Sequence, residues 1–509
     1  MTLATLPYLL GFAMQGGSWR FSGFVFGVED GNSYIAKMLR GAAGDFLFRT
    51  PYTAYPQSGV LTYLPYLLLG KLTAPPAQHE QLLALYHLYR FAAGILAILA
   101  TDDFLAYFLP AREWRRWALV LVTLGGGLGW LVVLLGGPAP GWYNLPLEFY
   151  SPESFGFLAL YGLPHLAMAR ALLLWGLLAV LEERPWRAGL LWLLMGFFQP
   201  LAIVSAWAIA GAFFGMQILG MLPRPRGIPF PWEQARAALG RAAPPVLLSA
   251  PLVGYTVLAF GRDPTMHTWA TQNRIASPPP IQYLLAYVLL LPFILHWLAM
   301  RKPWRGDTRQ EMLLFGWLAL FPFLAYAPYN LQRRLPEGIW VALVLAACLG
   351  AQEGFARRAF RPLTALALPS TALLLFGGLL SVTHPAAPLF VPEEEAALYE
   401  TLVGRAAPSD VALSAFESGN VLPVWAPVYV VIGHGPESVN LADLRPRVAA
   451  FYAAETPDSA RRALLDEFHV RWVVWGPAER ALGDADLTQM PFLRLAESRG
   501  AYVLFEVGR

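Results

Sequence analysis

The chain has 509 residues, of which 56% are hydrophobic and only 14% charged, and its mean hydropathy is +0.46. Soluble globular proteins carry about 25% charged residues, so this composition excludes an ordinary soluble protein and indicates that the lipid bilayer is the main solvent. The net charge of +3 gives no indication of nucleic-acid binding, and the single cysteine, Cys348, excludes an intrachain disulfide and a cysteine-based zinc site.

Apolar segments long enough to cross a bilayer recur along most of the chain. A span needs about 20 residues to cross roughly 30 Å of hydrocarbon. One shorter segment, 188–199, is expected to pair with its neighbour. The longer segments cover residues 82–109, 117–136, 156–181, 200–222, 244–261, 281–300, 312–329, 337–352 and 363–382. The sequence therefore predicts a polytopic α-helical membrane protein with about ten transmembrane helices.

The beginning of the chain is unusual. Residues 3–14 form an apolar run that is too short for a normal span and lacks the basic region of a signal peptide. We expect that the start is truncated or misplaced. A full helix before Gly16 would bring the total to about eleven and place the amino terminus in the cytoplasm.

Basic residues indicate how the helices are oriented, because loops rich in Lys and Arg stay in the cytoplasm. The clusters all fall on one side if the ten segments alternate. They comprise Arg112, Arg115 and Arg116; Arg184 and Arg187; Arg224, Arg226, Arg236 and Arg241; Arg301, Lys302 and Arg305; and Arg357, Arg358 and Arg361. The external side then receives residues 15–81, 137–155, 262–280 and 330–336, together with everything after 383.

The composition becomes acidic and alternating near the carboxyl end. Strand-like runs at 411–414, 428–432, 471–475 and 502–507 are interleaved with helical patterns at 441–453 and 457–468. Strands interleaved with helices predict a small α/β domain. We therefore predict two domains, a transmembrane domain of residues 1–383 and an extracytoplasmic soluble α/β domain of residues 384–509.

Two adjacent carboxylates, Glu29 and Asp30, lie in the first external loop. Acids at this depth are costly unless they are paired, hydrated or functional. Such a carboxylate can orient or deprotonate an acceptor hydroxyl, or bind a divalent cation such as Mg²⁺ or Mn²⁺. The alternative is structural: Asp30 caps a helix that starts at Asn32.

The second and third external loops supply further candidates for an acceptor or metal site. Glu153 follows Ser-Pro, and His165 follows Leu-Pro at the outer part of the next helix, where both can join Asp30 at one membrane face. The alternative is a helix start at Ser-Pro-Glu and a histidine hydrogen-bonded inside the bundle. His267 and Asn273 belong to a loop rich in side chains that hold sugar hydroxyls, as an ordinary ordered loop also is.

Arg333 and Arg334 break the positive-inside rule, because they lie next to a short external loop. Two external arginines need an anionic partner, and the planar guanidinium suits phosphate. Arg90, in the outer half of 82–109, is another candidate cation. The alternatives are an ion pair with Glu337 and contact with lipid headgroups.

Four short motifs carry a family resemblance. They are Glu-Asp-Gly-Asn-Ser-Tyr at 29–34, Ser-Pro-Glu at 151–153, Leu-Pro-His at 163–165 and Leu-Gln-Arg-Arg at 331–334. Together with the many helices and the terminal external domain, they resemble the GT-C superfamily of membrane glycosyltransferases, and within it a bacterial branch. Enzymes of this superfamily take a sugar from a polyprenyl phosphate.

The resemblance implies an integral membrane glycosyltransferase that passes a sugar from a polyprenyl-phosphate donor to an extracytoplasmic acceptor. It implies that Asp30, with Glu29 beside it, is the catalytic base or acceptor orienter, and that Arg333 or Arg334 binds the donor phosphate. Glu153 and His165 match the second-loop region where some members hold a metal or the acceptor.

Two readings from other classes stay open at this point. In a transporter or lipid flippase, Arg90, His165 and Arg333 would line a substrate path, although the sequence shows no inverted repeat. In a non-catalytic envelope assembly protein, the external domain would bind a cell-wall polymer through Trp425, Tyr429 and His434.

Overall fold

A computed structural model describes residues 1–137, 145–219, 231–300, 309–352 and 354–508 of the chain. These residues form two compact units. The helical unit comprises residues 1–4, 89–256 and 274–377, and the mixed unit comprises residues 5–88, 257–273 and 378–509. This grouping differs from the predicted boundary at 383, because much of the first external loop belongs to the same unit as the carboxy-terminal part.

Helices occupy each of the apolar segments that the sequence predicts to span the membrane. Their bounds are Gln78–Phe108, Arg112–Leu124, Gly129–Leu134, Phe157–Gly162, Pro164–Leu181, Pro185–Phe198, Pro200–Leu219, Trp232–Arg262, Pro280–Tyr287, Leu291–Met300, Arg309–Ala325, Ile339–Gly350, Gly354–Ala365 and Pro369–Val382. The basic residues Arg224, Arg226, Arg301, Lys302 and Arg305 and positions 138–144 of the second external loop lie outside the described residues.

Fewer helices reach the length of a full span than the sequence predicts. Within the described ranges, five helices are long and apolar enough to cross a membrane, and a pair bent by 84° gives a sixth. The five are Gln78–Phe108, Pro164–Leu181, Pro200–Ile218, Trp232–Arg262 and Gly354–Val382, the last of which joins Gly354–Ala365 and Pro369–Val382 into one span; the bent pair is Pro280–Tyr287 with Leu291–Met300. Thr2–Met14 and Ile339–Gly350 are shorter apolar helices. The described chain therefore has the helices of a multi-pass membrane protein.

One break in a predicted span has a clear steric cause. The segment 117–136 is divided between Leu124 and Gly129. There Gly127 passes so close to Ala286 that an added Cβ would lie 2.5 Å from the Cα atom of Ala286. Only glycine permits that approach, so close packing takes precedence over a continuous helix.

The core of the helical unit is built around the helix Ile339–Gly350. Its residues are apolar on all sides, which is typical of a buried helix, and Trp340 and Val344 are at most 2% exposed. The indole Nε1 of Trp340 donates a hydrogen bond to the carbonyl of Leu121 over 2.8 Å. The polar atom of this large side chain is therefore satisfied within the core.

The mixed unit contains the predicted α/β region. Its five-stranded sheet has the order β4-β3-β5-β7-β6, with β4, β3 and β5 parallel and β7 and β6 antiparallel. The strands are β3 (Val411–Leu413), β4 (Tyr429–Val430), β5 (Val470–Trp475), β6 (Leu493–Arg499) and β7 (Tyr502–Val507). The helices are Glu393–Glu400, Phe416–Trp425, Leu441–Tyr452, Asp458–Glu467 and Pro477–Arg480.

The amino-terminal part of the mixed unit pairs with its carboxy-terminal part. Strand β1 (Trp19–Phe21) lies antiparallel to β2 (Phe390–Pro392), and Arg20 forms an ion pair of 2.6 Å with Glu393. Two helices follow β1, the first-loop helix Val28–Ala42 and the short helix Leu64–Gly70, and Pro264–Gln272 completes the unit. The first external loop is therefore packed structure.

Candidate active site

The two acids of the first external loop lie at the amino terminus of the first-loop helix. This helix begins at Val28, after Gly27 in the left-handed conformation with φ of 59°. The alternative in which Asp30 caps a helix starting at Asn32 is therefore wrong. Glu29 and Asp30 instead occupy the first helical turn, where free backbone N–H groups and the helix dipole stabilise negative charge.

Both carboxylates face the imidazole of His434, which comes from the loop that follows β4. The Nε2 atom of His434 lies 3.4 Å from Asp30 Oδ1, and its Nδ1 atom lies 3.9 Å from Glu29 Oε1. The His434 side chain is 4% exposed, whereas that of Asp30 is 61% exposed. Asp30 is therefore held from one side by a buried group while most of its side chain stays open to solvent.

The charge state of His434 follows from these neighbours. Burial by itself lowers the pKa of His434, but interaction with Asp30 and the charge of Glu437 outweigh that effect, so the pKa lies above its ordinary value. The charge of Lys37 opposes the rise without cancelling it. The surroundings thus favour the imidazolium form, which attracts the neighbouring carboxylates.

The same loop contributes Glu437 to a buried ion pair. Lys37 Nζ is 2.6 Å from Glu437 Oε1, and the two side chains are 0% and 4% exposed. Glu437 also accepts hydrogen bonds from Ser33 Oγ over 2.7 Å and from Thr50 Oγ1 over 2.6 Å. Burial raises the pKa of Glu437, but the charges of Lys37 and His434 and the hydrogen bonds from Lys37 and Thr50 lower it below the ordinary value. Glu437 is therefore a stable buried anion.

Hydrogen bonds fix the loop between residues 433 and 438. Ser438 Oγ accepts from the backbone N–H groups of Gly433 and His434 over 2.9 and 3.0 Å. The amide of Gln272 donates to the carbonyl groups of Pro436 and Ser438, both over 2.8 Å. The loop that carries His434 is therefore held by the side chain of Ser438, which belongs to the loop, and by Gln272 at the end of the helix Pro264–Gln272.

Aromatic and amide groups close the site on its buried side. The Tyr52 ring lies 5.3 Å from the His434 ring, and its hydroxyl donates to the carbonyl of Asn420 over 3.2 Å. Asn32 Nδ2 donates to Asn420 Oδ1 over 2.7 Å. Burial and the charges of Glu437, Glu29 and Asp30 raise the pKa of Tyr52. Negative charge therefore predominates around this phenol.

A second polar cluster lies in the helical unit and contains two predicted residues. Glu153 is buried, and its Oε1 atom lies 3.5 Å from Arg334 Nε. Glu337, the alternative ion-pair partner of the external arginines, pairs instead with Arg170 over 2.6 Å. Arg334 thus has a carboxylate partner, although not the one that the alternative named.

Arg333 differs from its neighbour in having no such partner. Its guanidinium carbon lies 4.7 Å from the centre of the Tyr150 ring, and its backbone N–H donates to the carbonyl of Ile275 over 3.3 Å. Within the described ranges no ion pair involves Arg333. Its positive charge is therefore balanced by no protein carboxylate there.

The other predicted residues are spread over both units. Arg90 is buried in the helical unit, with Nη1 3.4 and 3.3 Å from the carbonyl oxygens of Ala4 and Tyr161. His165, also in the helical unit, is buried in the first turn of Pro164–Leu181. Glu153, Arg333 and Arg334 belong to that unit too, whereas Glu29, Asp30, His267 and Asn273 belong to the mixed unit.

The third external loop is more regular than the sequence predicts. Residues Pro264–Gln272 form a helix whose first turn is capped by Asp263, which accepts from the backbone N–H of Met266 over 2.9 Å. His267 is exposed on this helix, and Asn273 directly follows its end. Within the segment 262–280, Asp263 and Pro264 together start this helix.

The positions of possible metal ligands bear on the predicted site for a divalent cation. Across the described part of the chain, no group of three His, Cys, Asp or Glu residues has an arrangement that could hold a metal ion. Glu153 contacts Arg334 and Ser151. The described residues therefore include no ligand cluster of this size for Mg²⁺ or Mn²⁺.

Sequence reasoning missed Lys37 and Glu437 and gave His434 a different role. One local signal was available, because Asp30, Ser33 and Lys37 are spaced by three and four residues and so share one face of a helix. Their partners lie about four hundred positions away. Nothing in local spacing indicates that pairing.

Comparison with known proteins gives structural matches only. No protein-family model matches the chain, and no curated protein matches its sequence. The oligosaccharyltransferase AglB of Archaeoglobus fulgidus, in complex with an inhibitory peptide and a dolichol-phosphate, has a TM-score of 0.53 at 12% identity, covering 93% of this chain and 69% of that one. An oligosaccharyltransferase of Archaeoglobus fulgidus in complex with zinc and sulfate has a TM-score of 0.51 at 13% identity, covering 93% of this chain and 67% of that one.

A second type of protein has the same fold. Arabinofuranosyltransferase AftD from Mycobacteria has a TM-score of 0.51 at 14% identity over all of this chain, which spans only 41% of that protein. At these identities the similarity concerns the fold. The arrangement of helices and carboxy-terminal sheet in this chain therefore has solved counterparts.

Proposed function

We propose that this chain, which has the fold of the GT-C membrane glycosyltransferases, transfers a sugar from a polyprenyl-phosphate donor to a hydroxyl-bearing acceptor outside the cytoplasm. The observation that carries the proposal is the geometry of Asp30. Its carboxylate is largely exposed, lies in the first turn of a helix and is 3.4 Å from a buried histidine. A reactive carboxylate that must meet an external acceptor needs this combination of access and support.

The proposed reaction balances without any further reactant. The acceptor oxygen forms a bond to the anomeric carbon of the sugar, and the bond between that carbon and the phosphate oxygen breaks. The electron pair leaves with the phosphate. Asp30 accepts the proton of the acceptor hydroxyl, and general-base assistance of this kind contributes about 10²- to 10⁴-fold in rate.

Arg333 is the proposed phosphate-binding residue. Arg334 has Glu153 as a partner at 3.5 Å, whereas the Arg333 guanidinium lies against Tyr150. A guanidinium without a carboxylate partner can pair with the phosphate oxygens and stabilise the charge that develops on the leaving group. The AglB structure contains a dolichol-phosphate, which supports a lipid-linked phosphate as the donor.

The polymer-binding alternative is weakened by burial. Trp425 is 5% exposed and His434 is 3% exposed, so neither offers much surface to a cell-wall polymer. Trp425 stacks on His79 with 3.6 Å between ring centres. Trp425 therefore packs within the mixed unit.

The test is sugar transfer by the purified full chain, with a panel of radiolabelled polyprenyl-phosphate sugars as donors and membrane extract as the acceptor source. We expect Asp30→Asn to lose roughly a hundredfold or more in rate. The matched control is Asp443→Asn, because Asp443 is also an exposed acid in the first turn of a helix that follows a left-handed residue. This control should keep the wild-type rate.

Glu29→Gln distinguishes the two neighbouring acids. If Glu29→Gln abolishes transfer while Asp30→Asn retains it, Glu29 is the base. Retention of the wild-type rate by both variants contradicts the proposed chemistry. A transporter or flippase would move lipid-linked sugar across a vesicle membrane without forming a new glycosidic bond, and analysis of the labelled product separates these outcomes.

A further inference from the structure

The loop from Gly433 to Ser438 contacts both the exposed carboxylates and the buried ion pair. At its start, His434 lies between Asp30 and Glu29. Near its end, Glu437 pairs with Lys37. Both contacts are made to one helix, the first-loop helix, so the loop is attached to that helix at two points along its length.

We infer that this loop positions Asp30 for the acceptor, with His434 fixing the carboxylate and the Lys37–Glu437 pair fixing the loop. His434, Lys37 and Glu437 are positioning residues in this inference. It rests on the proposed function only in identifying Asp30 as the carboxylate that meets the acceptor. It also gives the carboxy-terminal part of the chain a role in the reaction.

The first argument is mechanical. Glu29 Oε1 accepts a hydrogen bond from the backbone N–H of Gly435 over 2.6 Å, so the middle of the loop is tied to the start of the helix. Gln272 holds two carbonyl groups further along the loop. These hydrogen bonds hold the loop backbone, and with it His434, beside the carboxylate of Asp30, and such support keeps a reactive group in place.

The second argument concerns charge. The titratable groups that face His434 are Asp30, Glu29 and Lys37 from the helix, Glu437 from its own loop and the phenol of Tyr52. Lys37 and Glu437 balance each other. The imidazolium of His434 then faces the two exposed carboxylates, 3.4 Å from Asp30 Oδ1 and 3.9 Å from Glu29 Oε1.

The third argument concerns the free-energy cost of burying the Lys37–Glu437 ion pair. A buried ammonium and a buried carboxylate lose hydration, and the desolvation penalty can exceed their attraction. Ser33 and Thr50 reduce the loss by donating to Glu437. Well-packed apolar residues of similar volume would often stabilise a fold as well as a buried ion pair does. We therefore assign to the Lys37–Glu437 pair the role of fixing the loop next to a reactive group.

The first test measures the pKa of His434 directly. Deuterium exchange at the C2 position of histidine, read by mass spectrometry on the full chain in nanodiscs, follows each imidazole separately. We expect Asp30→Asn to lower the pKa of His434, because an attractive charge is lost, and Asp443→Asn to leave it unchanged. An unchanged pKa in Asp30→Asn overturns the link between these two residues.

The second test addresses the ion pair. Lys37→Met alone leaves Glu437 buried without its partner and can fail to fold. The test therefore uses the double variant Lys37→Met with Glu437→Gln, which leaves no unpaired buried charge. We expect the backbone amides between 433 and 438 to exchange at least tenfold faster in the folded double variant. Wild-type protection of these amides overturns the role of the pair.

The third test is kinetic. His434→Ala should lower kcat about tenfold or more with the donor KM unchanged, and the acid limb of the rate profile should move to higher pH, because the neighbouring cation is lost. His434→Gln, which keeps a neutral donor of similar reach, should recover part of kcat but keep the shifted acid limb. A purely structural role for His434 predicts no movement of that limb.

Failure of the inference and failure of the proposed function give different results. If the wild-type chain transfers no sugar from any donor of the panel, the proposed function is contradicted, while a lowered pKa of His434 in Asp30→Asn still supports the positioning contact. Suppose instead that the wild-type chain transfers sugar, that Asp30→Asn leaves the pKa of His434 unchanged, and that the double variant leaves the amide exchange of residues 433–438 unchanged. Only the inference is then contradicted.

Discussion

Lys37 Nζ lies 2.6 Å from Glu437 Oε1, although 400 positions separate the two residues in the sequence. Neither side chain is more than 4% exposed. This pair connects the first-loop helix to the loop that carries His434, and its burial makes both residues sensitive to substitution.

We predict that Lys37→Met destabilises the folded chain by about 3–5 kcal/mol, because Glu437 would keep a buried charge without its partner. The double variant Lys37→Met with Glu437→Gln should lose less, since it leaves no unpaired charge. Unfolding in detergent, followed by tryptophan fluorescence, compares the three proteins. If the single variant is as stable as the double variant, Glu437 is not a buried anion in the folded state.

The same groups predict how stability depends on pH. The pKa of Glu437 is lowered in the folded state, so its contribution is present above the ordinary carboxyl pKa of about 4.3 and is lost as the pH falls through the lowered value. The pKa of His434 is raised, so its contribution is complete below the ordinary pKa of about 6.5 and is lost as the pH rises through the raised value.

Unfolding measurements across this pH range test both contributions. Glu437→Gln should flatten the stability curve most strongly on the acid side, and His434→Gln most strongly on the alkaline side, with a smaller effect on the opposite side because each group shifts the pKa of the other. Curves for both variants that run parallel to the wild-type curve would show that neither group changes its pKa on folding.

We predict that Arg333→Ala weakens binding of a polyprenyl phosphate roughly tenfold to a hundredfold, because a hydrogen bond to a charged group contributes about 1.5–3 kcal/mol. The matched variant is Arg334→Ala with Glu153→Gln, which removes the neighbouring cation together with its partner. It should change the affinity less. The opposite order of effects would assign the phosphate to Arg334.

We predict that residues 384–509 lie outside the cytoplasm, as the basic clusters of the sequence indicate. Protease added to intact spheroplasts of a bacterial expression host should remove this region. A cytoplasmic marker protein must stay uncut in the same sample. Protection of residues 384–509 until the membrane is lysed would reverse the predicted orientation of every helix.

Helix positions were predictable because apolar length is a local property of the chain. A segment in lipid must satisfy its backbone hydrogen bonds internally, so an apolar run of sufficient length becomes helical wherever it packs. The 84° bend between Tyr287 and Leu291 was not predicted, because it depends on which other helix lies against the segment.

Strands also divide into those that local composition predicts and those that depend on tertiary pairing. The apolar runs of β3, β5 and β7 are buried and were predicted from composition. Strand β6 was missed because most of its residues are exposed and three of them are charged, namely Arg494, Glu497 and Arg499. An edge strand of this kind is defined by pairing with β7, and pairing leaves little trace in local composition.

Sequence by itself was sufficient to propose Asp30 and Glu29, because two adjacent acids in a predicted external loop are a local signal. Arg333 and Arg334 were proposed in the same way. Only the tertiary structure decided that His434 faces Asp30, that Lys37 pairs with Glu437, and that Arg334 rather than Arg333 pairs with Glu153. The physical reason is that a charged group becomes committed to a partner through burial and distance, and both are set by how residues far apart in the chain fold together.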